Sequence, residues 1–261
     1  MSAIELSGVS LRYRARHGDV LALDDVALQL PSGSFTCIVG ASGCGKSTLL
    51  RAMAGLEEPT EGAIRVGGEL VRGPSRDRGM VFQTSTLYPW LRVRENVAFG
   101  PRLGGLPRRE REAQAIALLD ELGIGDFADA YPGELSGGMQ QRVAIARALA
   151  THPGVLLMDE PFGALDALTR RSAQSFLLEA WSRHPRTIAF VTHDIEEAVL
   201  LADRVVVMTP RPGRVQALVP VELPRPRTHA TRDEPAFRQL VRELLAMVLK
   251  EASADGLVAS S

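Results

Sequence analysis

An α/β fold with a mainly parallel sheet core is the architecture that three features of the sequence predict. Apolar runs of strand length alternate with segments of helical periodicity along much of the 261-residue chain. A glycine-rich turn joins one apolar run, at residues 35–39, to a helical segment that begins at Lys46. From about Pro101 to Ala150 helical patterns replace the strand patterns, which indicates a helical insertion between strands. Strands that alternate with helices are typical of parallel sheets covered by helices.

The first third of the chain contains more strand patterns than helical ones. Alternation from Ile4 to Ser7 and an apolar run at 21–30 predict an N-terminal antiparallel β region. The other elements predicted here are a turn at 31–33, a buried strand at 35–39, a helix at 46–55, a hairpin at 63–71 and a central strand at 79–82. The helix ends at a glycine, the residue that most easily adopts the left-handed conformation common after a helix.

The rest of the chain begins with helices and then returns to alternating elements. The helix predicted at 108–122 carries an apolar stripe of Ala115, Ile116, Leu118, Leu119 and Leu122. A second helix is predicted from Ser136 to Ala150. The next predicted elements are strands at 155–158, 187–191 and 204–208 and helices at 168–183 and 195–202. A proline-rich connector at 220–235 precedes an amphipathic helix at 235–250, whose apolar side is expected to pack on the core.

Composition and charge exclude several classes of protein. The formal net charge is −1 and the isoelectric point is near 6.5, so no nucleic-acid partner is expected. Basic residues cluster at 102–111 and 204–227, and we interpret both clusters as solvated faces. No apolar run reaches the roughly 18 residues of a membrane-spanning helix, and the first residues lack the pattern of a signal peptide. The two cysteines fit a reducing compartment better than a disulfide framework.

The glycine-rich turn has the pattern of a phosphate-binding loop, G-x-x-x-x-G-K-[ST], set between a strand and a helix. Its glycines let backbone N–H groups point at phosphates, and the free N–H groups of the helix start add to them. Lys46 is expected to reach the β- and γ-phosphates, and Ser47 to bind Mg²⁺. Apart from Lys46, the only lysine among the 30 basic residues is Lys250, which favours a specific role for Lys46. The predicted nucleotide-binding residues of this loop are Gly40, Ala41, Ser42, Gly43, Cys44, Gly45, Lys46, Ser47 and Thr48.

Cys44 lies inside the predicted phosphate-binding loop. A nucleotide bound to this loop would cover a side chain that faces the phosphates. We therefore expect ATP to shield the Cys44 thiol from thiol reagents.

Two adjacent carboxylates end the apolar run at 155–158. Asp159 is expected to hold Mg²⁺ through water, and Glu160 to orient or deprotonate an attacking water molecule. Acidic residues often follow strands in proteins of many kinds. The interpretation therefore depends on the phosphate-binding loop that precedes these residues in the chain.

A second glycine-rich segment, at residues 135–142, also precedes a predicted helix. Ser136, Gly137 and Gly138 would offer N–H donors to a second set of phosphates. A single nucleotide could not use both glycine-rich segments of one chain. The simplest explanation is that this segment binds the nucleotide of another copy, so that two subunits close over shared ATP.

Together these motifs resemble those of the ABC-transporter ATPases. In chain order the matching segments are the loop at 40–47, Gln83, the segment at 135–138, Asp159-Glu160, Ala164-Leu165-Asp166 and Thr192-His193-Asp194. The resemblance covers about residues 4–215. It implies a RecA-like P-loop NTPase core with an inserted α-helical subdomain. It also implies hydrolysis of ATP with Mg²⁺ by a head-to-tail dimer, with two ATP molecules held between the subunits.

The resemblance also divides the chain into regions. Residues 1–220 are expected to form the ABC ATPase domain, with a RecA-like core at about 1–90 and 152–220. The helical subdomain is expected at about 91–151. Residues 221–261 are expected to form a linker and a C-terminal helix.

Single residues receive roles from the same resemblance. Tyr13 matches the aromatic residue that stacks on adenine, with a tyrosine on a strand surface as the alternative. Gln83 matches the loop glutamine that contacts Mg²⁺ and senses the γ-phosphate, and Asp166 matches the aspartate that crosses the dimer contact. His193 matches the switch histidine that bridges the γ-phosphate and the attacking water. The predicted catalytic residues are Glu160, His193, Gln83 and Lys46, and the predicted metal ligands are Ser47, Gln83 and Asp159.

Further segments are similar to the importer branch for nitrate, sulfonates and taurine. They include Met139, where glutamine is the commonest residue of the family, and Pro89-Trp90. The resemblance implies membrane permease subunits as partners and, indirectly, a substrate-binding protein. It implies a peripheral position on the cytoplasmic face of the bacterial inner membrane. Taurine or another aliphatic sulfonate is the first candidate substrate, nitrate the second, and bicarbonate or a pyrimidine precursor follow.

Leu87, Tyr88 and Trp90 form an apolar and aromatic patch shortly after Gln83. Exposed aromatic residues are typical anchors of protein interfaces. We expect this patch to receive a cytoplasmic helix of the permease, with burial between subdomains as the alternative.

Two other classes of function share some of these motifs. A soluble ABC ATPase of DNA repair, translation or protein assembly is the first, but such proteins usually carry two ATPase units or long coiled-coil insertions. A P-loop kinase or GTPase is the second, but neither explains the glycine-rich segment at 135–138.

Overall fold

The computed structural model describes residues 2–14, 18–183 and 185–254. Within these ranges the chain forms a six-stranded sheet and a four-stranded sheet with helices packed around them. The strands are β1 (Ile4–Tyr13), β2 (Val20–Leu30), β3 (Phe35–Gly40), β4 (Glu61–Val66), β5 (Glu69–Leu70), β6 (Arg78–Val81), β7 (Val155–Asp159), β8 (Thr187–Val191), β9 (Arg204–Met208) and β10 (Val215–Pro220). The helices are α1 (Lys46–Ala54), α2 (Val93–Val97), α3 (Phe99–Leu103), α4 (Arg108–Glu121), α5 (Gly137–Leu149), α6 (Ala167–Arg183), α7 (Ile195–Leu201) and α8 (Pro235–Ala254). No helix in the described ranges has the length and apolar character needed to cross a bilayer.

The larger sheet is the mainly parallel core that the sequence predicts. Its strand order is β10-β9-β3-β8-β7-β6, and all neighbours except β9 and β10 are parallel. Every residue of β3, β7 and β8 is buried, as expected of strands covered on both faces. Because these strands are parallel, their carboxyl ends lie together at one edge of the sheet.

The smaller sheet is the antiparallel region predicted at the N-terminus. Its strand order is β2-β1-β4-β5, and Ile4 of β1 lies opposite Leu30 on one side and Val66 on the other. The hairpin predicted at 63–71 is formed by β4 and β5. Leu49 of α1 belongs to a buried cluster that contains residues of both sheets, so this helix packs between them.

The helical region between β6 and β7 contains α2 to α5 and has a small core of its own. Buried residues of this core include Val93, Val97, Leu119, Leu122 and Val143. The stripe predicted on α4 is wrong at one position, because Ile116 is 40% exposed whereas Ala115 and Leu119 are buried. Successive residues of a helix are rotated by about 100°. Ile116 therefore lies on the flank of the stripe and faces solvent.

One further prediction about the larger sheet needs correction, and one of its strands is not predicted. The strand predicted as central at 79–82 is β6, an edge strand that, among the described residues, pairs only with β7. The chain also forms β10, antiparallel to β9, which its sequence does not predict. No residue of β10 is fully buried. It therefore lacks the continuous apolar run that identifies the central strands.

The C-terminal segment packs on the core as predicted. After β10 the chain passes through a 3₁₀ turn at His229–Asp233 and enters α8. Phe237 and Leu244 of α8 are buried in the cluster that covers one face of the larger sheet, and Leu240 packs against it.

Arg227 corrects the prediction that the basic residues at 204–227 form a solvated face. It is only 5% exposed. Its guanidinium donates hydrogen bonds to the backbone carbonyls of Val199, Ala202, Val221 and Leu223. Burial lowers the pKa of Arg227 to about 10, with the nearby Arg225 as a smaller cause. This side chain therefore joins the C-terminal segment to α7 and to the residue that follows it.

Candidate functional site

The phosphate-binding loop connects β3 to α1 at the carboxyl edge of the larger sheet. Gly43 and Gly45 have φ angles of +75° and +98°, a region that glycine adopts at little cost. A Cβ on Gly45 would lie 2.8 Å from Leu23 Cδ2 and 2.9 Å from the carbonyl oxygen of Ala22. The close approach of β2 thus requires glycine here, and it leaves the N–H groups at the start of α1 free to meet phosphate oxygens.

Lys46 is held in place by the loop itself. Its side chain is buried, and Nζ donates hydrogen bonds of 2.9 Å to the carbonyl oxygens of Gly40 and Ala41. These bonds fix the ammonium group at the start of α1. A cation fixed in this way needs little rearrangement to meet a phosphate.

Ser47 and Asp159 are brought together as a metal site requires. The Ser47 hydroxyl donates a hydrogen bond of 2.8 Å to Asp159 Oδ1. Asp159 lies at the end of β7 and is buried. Burial raises the pKa of Asp159, and the hydrogen bond from Ser47 partly opposes this shift. Two adjacent oxygen ligands, one of them a carboxylate, are the kind of site that Mg²⁺ prefers.

Glu160 forms the centre of a polar cluster beside the loop. Its Oε2 lies 3.0 Å from His193 Nδ1 and accepts a hydrogen bond of 3.5 Å from Gln83 Nε2. The three side chains follow β7, β8 and β6, whose carboxyl ends meet at this edge. The φ angle of Glu160 is +42°, and its N–H donates to the carbonyl oxygen of Val191 at 3.0 Å. A non-glycine residue in this conformation is strained, which is frequent at functional sites.

A cavity of about 420 Å³ opens above the loop. Its lining residues are Tyr13, Val20, Ala22, Ser42, Gly43, Gly45, Lys46, Ser47, Thr48, Glu160 and Arg211. Tyr13 and Val20 lie opposite each other on β1 and β2, so the predicted adenine-stacking residue lies on a wall of the same cavity as Lys46. Arg211 also lines this cavity, although its sequence context gives no sign of such a position.

Ser136, Gly137 and Gly138 are at the start of α5, away from this cavity. The Ser136 hydroxyl caps the helix by accepting a hydrogen bond of 3.3 Å from the Met139 N–H. Ser136 and Gly137 are exposed, whereas a Cβ on Gly138 would lie 2.1 Å from Thr169 Cγ2. None of the described residues that line the nucleotide cavity comes from this segment.

Asp166 lies beside the same segment, just before α6. Its Oδ1 accepts hydrogen bonds of 3.0 Å from the N–H groups of Leu168 and Thr169. Hydrogen bonding by the side chain of Thr169, together with these backbone bonds, lowers the pKa of Asp166. Asp166 and Leu168 are exposed, the latter to 79%. This exposed surface is therefore separate from the nucleotide cavity of its own chain.

Several residues behind His193 form a buried network that the motifs do not predict. Glu197 is 3% exposed, and its Oε1 accepts a hydrogen bond of 2.7 Å from Gln174 Nε2. Burial raises the pKa of Glu197, while hydrogen bonds from Thr192 and Gln174 oppose the shift. Arg232 Nη2 donates to Gln174 Oε1 at 3.1 Å, so the C-terminal segment joins the network. These partners are far apart in the chain, and no local pattern could reveal them.

The Cys44 thiol faces the inside of the loop, where Sγ accepts a hydrogen bond of 3.9 Å from Lys46 Nζ. The side chain is 1% exposed, and burial raises the pKa of Cys44 despite the opposing charge of Lys46. The expectation that ATP shields this thiol is wrong, because the protein itself buries the thiol.

We now expect thiol reagents to label native Cys44 slowly, and at the same rate with and without Mg-ATP. A buried thiol with a raised pKa forms little of the reactive thiolate. Mass spectrometry after timed maleimide labelling measures the rate, with denatured protein as the fully reactive control. Rapid labelling of Cys44 that ATP suppresses would contradict the buried placement.

Known proteins share this arrangement over most of the chain. The family model described as ABC transporter matches residues 23–163. This chain belongs to the ABC transporter family. The nitrate import ATP-binding protein NrtD of Synechocystis sp. is 47% identical to it over 251 residues, which cover 94% of each chain. The taurine import ATP-binding protein TauB of Rhizobium johnstonii is 47% identical over 252 residues, or 94% of this chain and 96% of TauB.

A solved structure confirms the fold of this ABC protein. The dimeric, post-hydrolysis structure of the ATP-binding cassette MJ0796 bound to ADP and Pi superposes with a TM-score of 0.75. It is 33% identical and covers 84% of this chain and 99% of its own. The P-loop NTPase fold, the binding of ATP and the ATPase activity predicted from the sequence are therefore confirmed at the level of the family.

Proposed function

We propose that this ABC ATPase powers the import of a small anion, with taurine or another aliphatic sulfonate as the substrate. The observation that carries the proposal is the cluster of Glu160, Gln83 and His193 beside Lys46, joined to the names of the import proteins that the chain resembles. Nitrate is the alternative substrate, because one relative is named for nitrate import. A bicarbonate or pyrimidine-precursor importer and a soluble ABC ATPase have no observation that favours them.

The roles of the site residues follow from their positions. Lys46 and the N–H groups of the loop bind the phosphates. Glu160 accepts a proton from the attacking water molecule or orients that water. The water oxygen bonds to the γ-phosphorus as the bond from that phosphorus to the β–γ bridging oxygen breaks. His193, 3.0 Å from Glu160, is placed to keep this carboxylate and the water aligned.

The residues present fit Mg²⁺ as the metal cofactor. Ser47 and Asp159 would supply two oxygen ligands. Gln83 contacts Glu160, which follows Asp159 in the chain, and it would supply a third. When bound, the ion neutralises charge on the β- and γ-phosphate oxygens. It would also favour the ionised form of Asp159, whose pKa burial raises.

A second copy of the chain is the proposed partner at the exposed segment around Ser136. The exposed N–H groups at the start of α5 have no phosphates to meet within their own chain. Placed head to tail, two copies would present Ser136, Gly137 and Gly138 to the nucleotide on the other's loop, with Asp166 at the contact. The dimeric state of the MJ0796 cassette supports this arrangement.

Trp90 marks the proposed contact with the permease. It is 70% exposed, and its ring centroid lies 5.5 Å from that of Tyr88, which packs on Phe99 at 4.6 Å. Asn96 fixes the loop by accepting a hydrogen bond from the Tyr88 N–H at 2.8 Å and donating to the Tyr88 carbonyl at 3.1 Å. Leu87, in contrast, packs against two buried clusters. The patch is therefore anchored in the core at one end and presents an aromatic ring to a partner at the other.

Replacing Trp90 by alanine is expected to abolish transport while leaving ATP hydrolysis by the isolated subunit unchanged. Loss of a central aromatic anchor typically costs about 2 kcal/mol or more, which is roughly a thirtyfold loss of affinity. Binding to permease-containing membranes, substrate uptake by cells and ATP hydrolysis by the isolated subunit measure the effect. Phe127→Ala is a matched control, because Phe127 is a 42% exposed aromatic residue elsewhere in the helical region. An equal loss of hydrolysis and transport would favour a structural role for Trp90.

We further propose that the protein lies on the cytoplasmic face of the inner membrane, where it binds permease subunits. A substrate-binding protein would deliver the substrate to these permease subunits. We also propose an ATPase domain at residues 1–220, a helical subdomain at about 91–151, and a linker and C-terminal helix at 221–261. Residues 1, 15–17, 184 and 255–261 of these regions lie outside the described residues. Uptake of labelled taurine and nitrate by cells with and without the chain tests the substrate. Loss of taurine uptake supports the proposal, and loss of nitrate uptake alone selects the alternative. Purification of the protein only in complex with nucleic acid or ribosomes would reject both substrates.

A further inference from the structure

The loop at residues 209–214, between β9 and β10, lies against both the phosphate-binding loop and β2. The Gly213 N–H donates to the carbonyl oxygen of Ala22 at 2.9 Å, and the Asp24 N–H donates to the Gly213 carbonyl at 3.1 Å. A Cβ on Gly213 would lie 2.1 Å from the carbonyl oxygen of Cys44. The loop is therefore fixed between the strand that forms one wall of the nucleotide cavity and the residues that form its floor.

Arg211 extends from this loop over the phosphate-binding loop. Its Nε and Nη2 donate hydrogen bonds of 3.3 and 3.2 Å to the carbonyl oxygen of Gly43. A guanidinium has five N–H donors, so three remain for other acceptors, and Arg211 lines the cavity. Lys46, the other cation among the described residues that line this cavity, directs its Nζ to two loop carbonyls.

The order of the strands shows which end of a nucleotide Arg211 would meet. His193 and Glu160 follow β8 and β7, on one side of β3. Arg211 follows β9, which pairs with β3 on the other side. Tyr13, on the wall formed by the smaller sheet, lines the same cavity. If the γ-phosphate lies near Glu160, the opposite end of the nucleotide lies between Tyr13 and Arg211.

We propose that Arg211 is a nucleotide-binding residue that donates hydrogen bonds to the ribose and α-phosphate of ATP. These two groups lie between the base and the β-phosphate, and their oxygens are acceptors that a donor-only guanidinium suits. The hydrogen bonds to Gly43 hold the guanidinium in place, which lowers the entropic cost of the contact. The inference rests on the proposed ATP site and adds a cation at its nucleoside end.

A series of nucleotides tests the proposal on the purified full chain. Calorimetry with ATP, ADP and AMP compares the wild type with Arg211→Ala. An interaction with ribose and α-phosphate is common to all three nucleotides, so we expect the variant to bind each more weakly by the same factor, about tenfold for a charge-assisted hydrogen bond. Arg211→Lys should recover part of this loss, because lysine keeps the charge but cannot reproduce the two bonds to Gly43.

Arg214→Ala is the matched control. Arg214 lies on the same loop but pairs with Asp24 and does not line the cavity. We expect its nucleotide affinities to stay within about twofold of the wild type, since exposed ion pairs contribute little. Thermal melting of Arg211→Ala and Arg214→Ala checks that each variant retains the fold.

Two outcomes for Arg211→Ala would overturn this inference alone. Unchanged affinity of Arg211→Ala for all three nucleotides would remove Arg211 from the site, and a loss confined to ATP would place it at the γ-phosphate. In either case a wild type that binds and hydrolyses ATP leaves the proposed function standing. A wild type that binds no ATP would reject the proposed function and this inference together.

Discussion

Glu160→Gln slows ATP hydrolysis by a factor of about 10²–10⁴ and leaves ATP binding intact, if Glu160 acts as the general base. Glutamine has nearly the same shape, so the contacts at Gln83 and His193 remain within reach. It cannot take a proton from water, because an amide is not basic at neutral pH. The loss therefore falls on the chemical step and not on binding.

Single-turnover hydrolysis of radiolabelled ATP measures the effect of Glu160→Gln, and calorimetry measures its ATP affinity. Glu179→Gln is a matched control, because Glu179 is an exposed residue of α6 that pairs with Arg183. The control should hydrolyse ATP at the wild-type rate. Wild-type turnover by Glu160→Gln would exclude a role for this carboxylate in activating water.

Lys46→Ala is expected to weaken ATP binding by roughly tenfold to a hundredfold. A hydrogen bond to a charged group contributes about 1.5–3 kcal/mol, and each 1.4 kcal/mol is tenfold in affinity. Alanine removes the ammonium and also the two bonds that Nζ makes to the carbonyls of Gly40 and Ala41. Both the charge and the fixed shape of the loop are therefore lost.

Lys250→Ala is the matched control for this substitution. Lys250 is the only other lysine of the chain and is exposed near the end of α8. Titration with ATP and ADP should show a larger loss for ATP with Lys46→Ala, because Lys46 is expected to reach the γ-phosphate. Equal affinity of Lys46→Ala and the wild type for ATP would contradict the assigned role.

The sequence predicts those parts of the fold that depend on neighbouring residues. The continuous apolar runs of β3, β7 and β8 identify buried strands, and the spacing of Gly40, Gly45 and Lys46 identifies the loop. The strand β10 is missed because none of its residues is fully buried. Ile116 is misplaced because the period of a helix does not say how wide its buried stripe is.

The sequence predicts the site residues that belong to short motifs. It does not predict those that reach the site from distant parts of the chain. The resemblance to ABC-transporter ATPases groups Gln83, Glu160 and His193, and the structure brings them together because each follows a strand with a parallel neighbour. Arg211 and Arg227 stand in one basic cluster, yet one lines the nucleotide cavity and the other is buried against backbone carbonyls. Their surroundings differ because the loop after β9 and the segment after β10 pack against different parts of the protein. In both cases the residues contacted include some that are distant in the sequence.

The mass of Glu160→Gln in solution tests the shared nucleotide site most directly. Light scattering with saturating Mg-ATP should give twice the mass of the 28.2 kDa chain, and without nucleotide the mass of one chain. Adding a bulky substitution, Ser136→Arg, should prevent the ATP-dependent dimer while ATP still binds. If Glu160→Gln binds ATP but keeps the mass of one chain, even with its permease present, ATP is not held between two copies.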